Sequence, residues 1–500
     1  MDVHDISGQV TQESFPDLVA STSLPALLRE YEAEALLRAA MRSDMGTFAG
    51  FETLVAATAV CKTGTSTEIP IEALTKILSE AEVLLRRGPR DETMMLNWLR
   101  TIRGLRPAWF SGPLYNELLM PFSSRLEDTL GLSAQQAFSE VQRLADSKTD
   151  PTAISEEFRS VSDQLSRPLE SISRPSDLWD CGLVDVGRSR LTLTYKIADV
   201  TYRHLCARLQ ASDPKFGTKK GKSLERVVWR RLVRLSPNWS WYQGYFVDSG
   251  GERDLIGFGT KAGLAIESKS YKFRESSSEW SKLNARRDAE PIVEAVAQVQ
   301  AGLQMLRDGG RILTTPMRGK PASTIKVKPK RIWHGIVVSD EIYTPYVRAC
   351  YDSFAPPTKL GKGDWHGAET WVASILDLEF LVQSAGTTSL VLDYLKWLRA
   401  RKNLRFTDEP ESWLLYGTEP ILPAATRLNV NFIGRGYNWS EARSAGLQRY
   451  RPPWLLRRDL VSKLDSMDRT VQAMQVVKQD RLRATNVSRK RLEALHPRRS

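Results

Sequence analysis

Through most of residues 15–172 apolar positions recur every three or four residues, the repeat of a helix with one buried face. The runs at 24–42, 71–87, 91–103 and 133–145, several of them ended by Gly or Pro, predict amphipathic helices. Downstream the period shortens. Residues 181–186 and 190–197 read as a hairpin turning at Gly187-Arg188-Ser189, followed by a helix near 198–210. A helix over 223–232 leads to a strand over 239–247 and to a second hairpin, whose strands 254–258 and 264–269 flank a tight turn at 259–263. In 291–307 the residues Ile292, Val296, Val299, Leu303 and Leu306 step by four and three, with Pro291 in the favoured first-turn position. Residues 333–339 then form a buried strand.

After Tyr343 the stretches 371–383 and 389–403 predict two more amphipathic helices, the first with Asp377 and Glu379 as exposed acids. A Pro- and aromatic-rich stretch runs to Pro453, and 468–500 is a polar helix candidate crowded with arginines, a basic tail that either adds affinity for nucleic acid or keeps the protein soluble. The expected architecture is therefore α/β in three parts: an α-helical domain over 1–175, for partner contact, regulation or as a buttress, an α/β domain over 176–345, and a mostly helical region over 346–500. Asp150-Pro151 and the Ser-rich 171–176 read as linkers.

The chemistry concentrates in the second hairpin. Glu267 and Lys269 are two apart and share one face of their strand, and folding the hairpin sets Asp254 opposite Glu267, although 267 − 254 puts them 13 positions apart. Two carboxylates and an ammonium aimed at one point make a cradle for a divalent metal beside a phosphate. The plainer reading of the same letters is a set of solvated hairpin charges, with Glu267 and Lys269 on an exposed strand face.

Glu225, Asp254 and the Glu267-Ser268-Lys269 tripeptide, spread over helix, strand and strand, resemble the PD-(D/E)xK or restriction-endonuclease-like nucleases. That family's core runs helix, three strands, helix, strand, and the resemblance covers about residues 221–340. It implies a Mg²⁺-dependent DNA endonuclease, with Mn²⁺ as a substitute, acting in defence against foreign DNA such as viral genomes or in DNA repair. Asp254 and Glu267 would hold the metal with the Ser268 carbonyl, and Lys269 would orient the attacking water and steady developing negative charge. Glu225 would be an outer ligand or hold a second metal. The later helix offers Gln298, followed four on by Gly302 rather than by the tyrosine some members carry there. The alternative is a catalytically inactive nucleic-acid-binding or assembly protein that keeps the fold, with Glu267 and Lys269 paired to each other.

Composition adds a direction. Lys plus Arg number 71 against 59 Asp plus Glu, a formal net charge of +12, which suits an anionic partner such as DNA. The basic 215–222 stretch, with Lys219, Lys220 and Lys222, leads into the Glu225 helix, and 311–331 carries Lys326, Lys328 and Lys330. Both are expected phosphate contacts, or else solvated charge. Trp239, Trp241 and Tyr245 fall on one strand face, either to stack on bases or to fill the core. Cutting both strands with one site per chain calls for a homodimer or a larger complex.

Other classes find no support in the letters. Cys61, Cys181, Cys206 and Cys350 have no Cys-x-x-Cys spacing, the five histidines lack the spacing of a zinc site, and there is no Gly-x-Ser-x-Gly elbow. The glycines at 217–221 and 250–251 are too sparse for a nucleotide loop, so no nucleotide cofactor is expected. Without a basic signal-peptide start or an uncharged apolar run of about 18 residues, the expectation is a cytoplasmic protein free of the membrane.

Overall fold

The computed structural model describes residues 14–42, 48–87, 108–145, 154–178, 180–187, 189–194, 196–248, 251–270, 282–314, 323–326, 331–340, 370–385, 391–392 and 394–395. The chain divides into two units, Met1–Asp408 and Glu409–Ser500, and every described residue lies in the first. The helix expected over 91–103, the basic tail over 468–500, and Lys328 and Lys330 fall outside the described residues, as does most of the helix expected over 389–403.

The chain begins in short helices: α1 (Phe15–Ala20), α2 (Leu24–Leu28), α3 (Ala33–Arg42), α4 (Phe48–Val60) and α5 (Ile71–Arg87). The single helix expected over 24–42 is thus two. Tyr31 forms a bridge with Ser66, and Glu32 donates its amide to the Ser66 carbonyl at 2.8 Å, so the backbone there is spent on a distant loop. Next come α6 (Ala108–Leu119), α7 (Ser123–Leu130), α8 (Ala134–Ala145) and α9 (Glu156–Gln164), then a small sheet of β1 (Ser166–Pro168), β2 (Leu183–Val186) and β3 (Ser189–Thr192). The β2–β3 hairpin is the one expected around Gly187. One apolar cluster, from Val19 to Leu193, seals α1–α5 against this sheet.

The second layer starts with α10 (Ile197–Ser212) and α11 (Phe216–Leu235) and continues through β4 (Ser240–Val247), β5 (Arg253–Phe258), β6 (Ala262–Lys269), α12 (Lys282–Arg307), β7 (Arg311–Thr314), β8 (Thr324–Lys326), β9 (Ile332–Ser339), β10 (Thr370–Ser374) and α13 (Ile375–Ala385). The seven strands lie in the order β10-β9-β6-β5-β4-β7-β8, with β6, β9 and β10 mutually parallel and the remaining pairs antiparallel. Mixed α/β architecture is what the sequence implied. Helix, three strands, helix and strand follow in that order, with β7 and β8 inserted and β10 added. α11 packs over β5 and β6, and α12 packs on β6 and β9. Gly335 permits that approach, because a Cβ there would stand 2.4 Å from Val299 Cγ1.

Three boundaries differ from expectation. α11 begins at Phe216, so all of the basic 215–222 stretch but Lys215 is helix rather than a lead-in to one. α12 begins at Lys282, which puts Pro291 inside it, where it removes one backbone donor from the ladder. Residues 370–374 form a fully buried strand rather than the start of a helix, because parallel pairing with β9 satisfies their backbone. Asp377 and Glu379 are accordingly buried, not exposed. Asp377 exchanges hydrogen bonds with Ser374 at the helix start, and Glu379 pairs with Arg231. Among the described residues no helix is long and apolar enough to cross a membrane.

Candidate active site

The β5–β6 ladder pairs Phe258 with Gly263, Gly257 with Leu264, Ile256 with Ala265 and Leu255 with Ile266. One further step along that register sets Asp254 against Glu267. There the Asp254 carboxylate captures the backbone instead: the Ser268 amide donates to Asp254 Oδ2 at 2.6 Å. A hydrogen bond this short to a charged acceptor is among the stronger kinds and fixes the carboxylate at the hairpin's open end. On the other flank, β4 pairs Gln243 with Leu255 and Tyr245 with Arg253. Gly244, between them and across from Asp254, takes φ 61°, a left-handed conformation that glycine adopts without a Cβ penalty.

Glu267 is buried and Lys269 is partly exposed at the strand end, with Lys269 Nζ 3.6 Å from Glu267 Oε2. That separation is an ionic contact rather than a hydrogen bond. Burial pushes the Glu267 carboxyl up to about 7, helped by the neighbouring Asp254 charge and opposed by Lys269 and Arg253. Asp254 is also raised, first by burial and then by Glu252, against the pull of the Ser268 amide, of Lys269 and of a contact with the Glu267 carboxyl. Glu225, on α11, is raised to about 7 by burial and by Asp254, with Lys222 and Lys269 lowering it. Glu225 and Glu267 thus each feel the Asp254 charge in a poorly hydrated corner, the pattern of a site built to hold positive charge. Tyr245 is buried beside them, its hydroxyl raised by burial and by Glu267.

One atom states the need directly. Glu267 Oε1 is buried without a hydrogen-bond partner among the described residues, and Ser268 Oγ beside it is likewise unsatisfied. An orphaned carboxylate oxygen is costly unless something cationic covers it. Carboxylate oxygens suit a hard divalent ion, so the residues present fit Mg²⁺, with Asp254 and Glu267 as the holders. Among the described residues, no group of three or more His, Cys, Asp or Glu side chains is spaced to hold an ion.

The other sequence candidates divide. Lys222 is exposed on α11 next to Glu225. Lys219 is 56% exposed and pairs with Asp213 at 2.7 Å. Lys220 points inward: it is sealed from solvent against Asp340 at 2.8 Å, so its ammonium is withdrawn from any phosphate outside. Lys326 is exposed on β8, at the sheet edge away from β6. Gln298 is exposed on α12 and hydrogen-bonds to none of the site carboxylates. Lys220, Tyr202 and Ser270 converge on Asp340, and Asp340, Tyr202 and Ser270 carry no motif of their own in the sequence. An acid placed right after a buried strand was the available signal for Asp340. Set against known proteins, the chain matches no family model, no curated protein and no solved structure, so its residues alone bear on function.

Proposed function

We propose that the chain is a metal-dependent nuclease of the PD-(D/E)xK kind, hydrolysing phosphodiester bonds in DNA. The observation that carries this reading is the convergence of Asp254, Glu267 and Lys269 at the open end of one hairpin, around a carboxylate oxygen left without a partner. Bound to Asp254 and Glu267, Mg²⁺ would supply Lewis acidity at the phosphate and a lowered pKa for water. The chain's own groups do the rest. Lys269, partly exposed at the strand end, orients the attacking water and offsets charge that develops on the non-bridging oxygens. The Ser268 amide holds the Asp254 carboxylate in place. Glu225 adds a third carboxyl close enough to sense Asp254. Defence against foreign DNA and DNA repair both remain consistent with this chemistry.

A second reading has one observation in its favour. The Lys269–Glu267 contact of 3.6 Å neutralises both groups internally, as an inactive descendant would do. Cleavage of supercoiled and linear DNA by wild type, Asp254→Ala and Lys269→Ala, with Mg²⁺, Mn²⁺ or EDTA, separates the two. Metal-dependent cutting lost in both variants supports the nuclease. No cutting together with no Mn²⁺ bound at Asp254 and Glu267 leaves the inactive fold.

A further inference from the structure

α11 carries seven Lys and Arg residues and a single acid, Glu225. Its cations sort by direction. Lys220 and Arg231 turn inward, where Asp340 takes the first and Glu117 and Glu379 take the second. Lys219, paired with Asp213, Lys222 and Arg226 face outward, and with exposed Lys215 just before the helix and Arg230, 39% exposed and 3.3 Å from Glu117, they step by four, three, four and four. At 3.6 residues per turn these five form one stripe, about 22 Å long at 1.5 Å per residue. A Cβ at Gly221 would stand 3.8 Å from Ser270 Cβ, the residue after Lys269, so the stripe passes the catalytic corner at its middle, through Lys222.

A cationic ridge on a rigid helix matches a stiff polyanion, whose phosphates it can meet in register without ordering a flexible chain. Single-strand binders add aromatic platforms for unstacked bases. Among the described residues on and beside β4, most are already used. Trp239 and Trp241 stack on each other at 5.9 Å, Trp241 Nε1 donates to the Ser236 carbonyl, Tyr242 stacks on Phe258 and Tyr245 is buried. We infer that the outward face of α11, Lys215, Lys219, Lys222, Arg226 and Arg230, is the backbone-binding surface for duplex DNA, delivering it to the Asp254–Glu267–Lys269 corner. This rests on the nuclease reading and adds the form of substrate and the surface that holds it.

The test is binding of the full chain, in EDTA, to a fluorescent duplex and to one of its strands across a range of salt. Wild type is expected to prefer duplex. The triple variant Lys215→Gln/Lys222→Gln/Arg226→Gln should reduce the steepness of log Kd against log salt by about 2–3, near 0.9 for each phosphate no longer neutralised. Lys261→Gln, at the turn end of the hairpin, should leave the slope unchanged. A triple variant with the wild-type slope and affinity, in a protein that still cuts duplex, overturns the ridge and spares the nuclease. Tighter binding of the single strand by wild type overturns the choice of duplex. Slope loss without metal-dependent cutting upholds the ridge and removes the nuclease reading, and wild type that neither binds nor cuts removes both.

Discussion

Lys220 Nζ lies 2.8 Å from Asp340 Oδ2 with both side chains sealed from solvent. The same carboxylate oxygen accepts from Tyr202 Oη at 3.3 Å and from Ser270 Oγ at 3.2 Å. α10, α11 and the ends of β6 and β9 therefore meet at one acid, and two of those elements carry Glu225 and Lys269. The pair sets the helix of the third carboxylate against the strand of the lysine. Tyr115 of α6 stacks on Tyr202 at 4.2 Å, which ties the helical part of the chain to the same node.

Removing one partner of that pair leaves a buried charge uncompensated. Lys220→Met is expected to cost about 3–5 kcal/mol of stability. Lys219→Met breaks only the exposed pair with Asp213 and should cost under about 1 kcal/mol. Urea denaturation of the two variants checks the contrast, and equal midpoints would refute the inward orientation of Lys220.

Lys269 sits at a strand end, so its loss should touch chemistry and spare the fold. Lys269→Met is expected to lower the turnover of metal-dependent cleavage by about 10²–10³-fold, the scale for removing one preorganised group that stabilises transition-state charge. Its melting temperature should stay within a degree or two of wild type, as measured by calorimetry.

The Glu267 carboxyl titrates near 7 in the folded protein against an ordinary value of 4.5. Between those values the folded chain holds a proton that the unfolded chain has released. Stability from this group is therefore complete below the ordinary carboxyl range and is lost as pH rises through 7. Metal-free wild type should lose stability between pH 5 and pH 8 relative to Glu267→Gln, whose amide does not titrate. Millimolar Mn²⁺ should restore it at pH 8 in wild type alone, because the ion binds the deprotonated form. Parallel pH profiles for the two proteins would contradict this.

Gly335 sits where α12 crosses β9, and an added Cβ would also fall 2.6 Å from Thr370 Oγ1. Gly335→Val should destabilise by at least about 1–3 kcal/mol through overpacking. Gly217 has nothing within 4 Å of such a Cβ, so Gly217→Ala on exposed α11 should instead be neutral or slightly stabilising. Thermal melts of both variants decide.

The sequence by itself determined what depends on neighbours along the chain. The apolar runs on either side of the turn at 259–263 specified a hairpin, whose register carried one step beyond Leu255–Ile266 puts Asp254 across from Glu267, and the two-residue period put Lys269 on the face of Glu267. The full extent of Ile71–Arg87 was legible for the same reason, since a helix with one apolar face repeats every three to four residues. Only the tertiary structure decided what depends on distant partners. Residues 371–374 have a pattern that suits a buried helix or a buried strand equally, and pairing with β9 chose the strand. Lys219, Lys220 and Lys222 are one basic cluster in the letters. The helix's 100° turn per residue sends Lys219 and Lys222 to solvent and Lys220 to Asp340, an acid 120 positions away that no local pattern links to it (340 − 220 = 120).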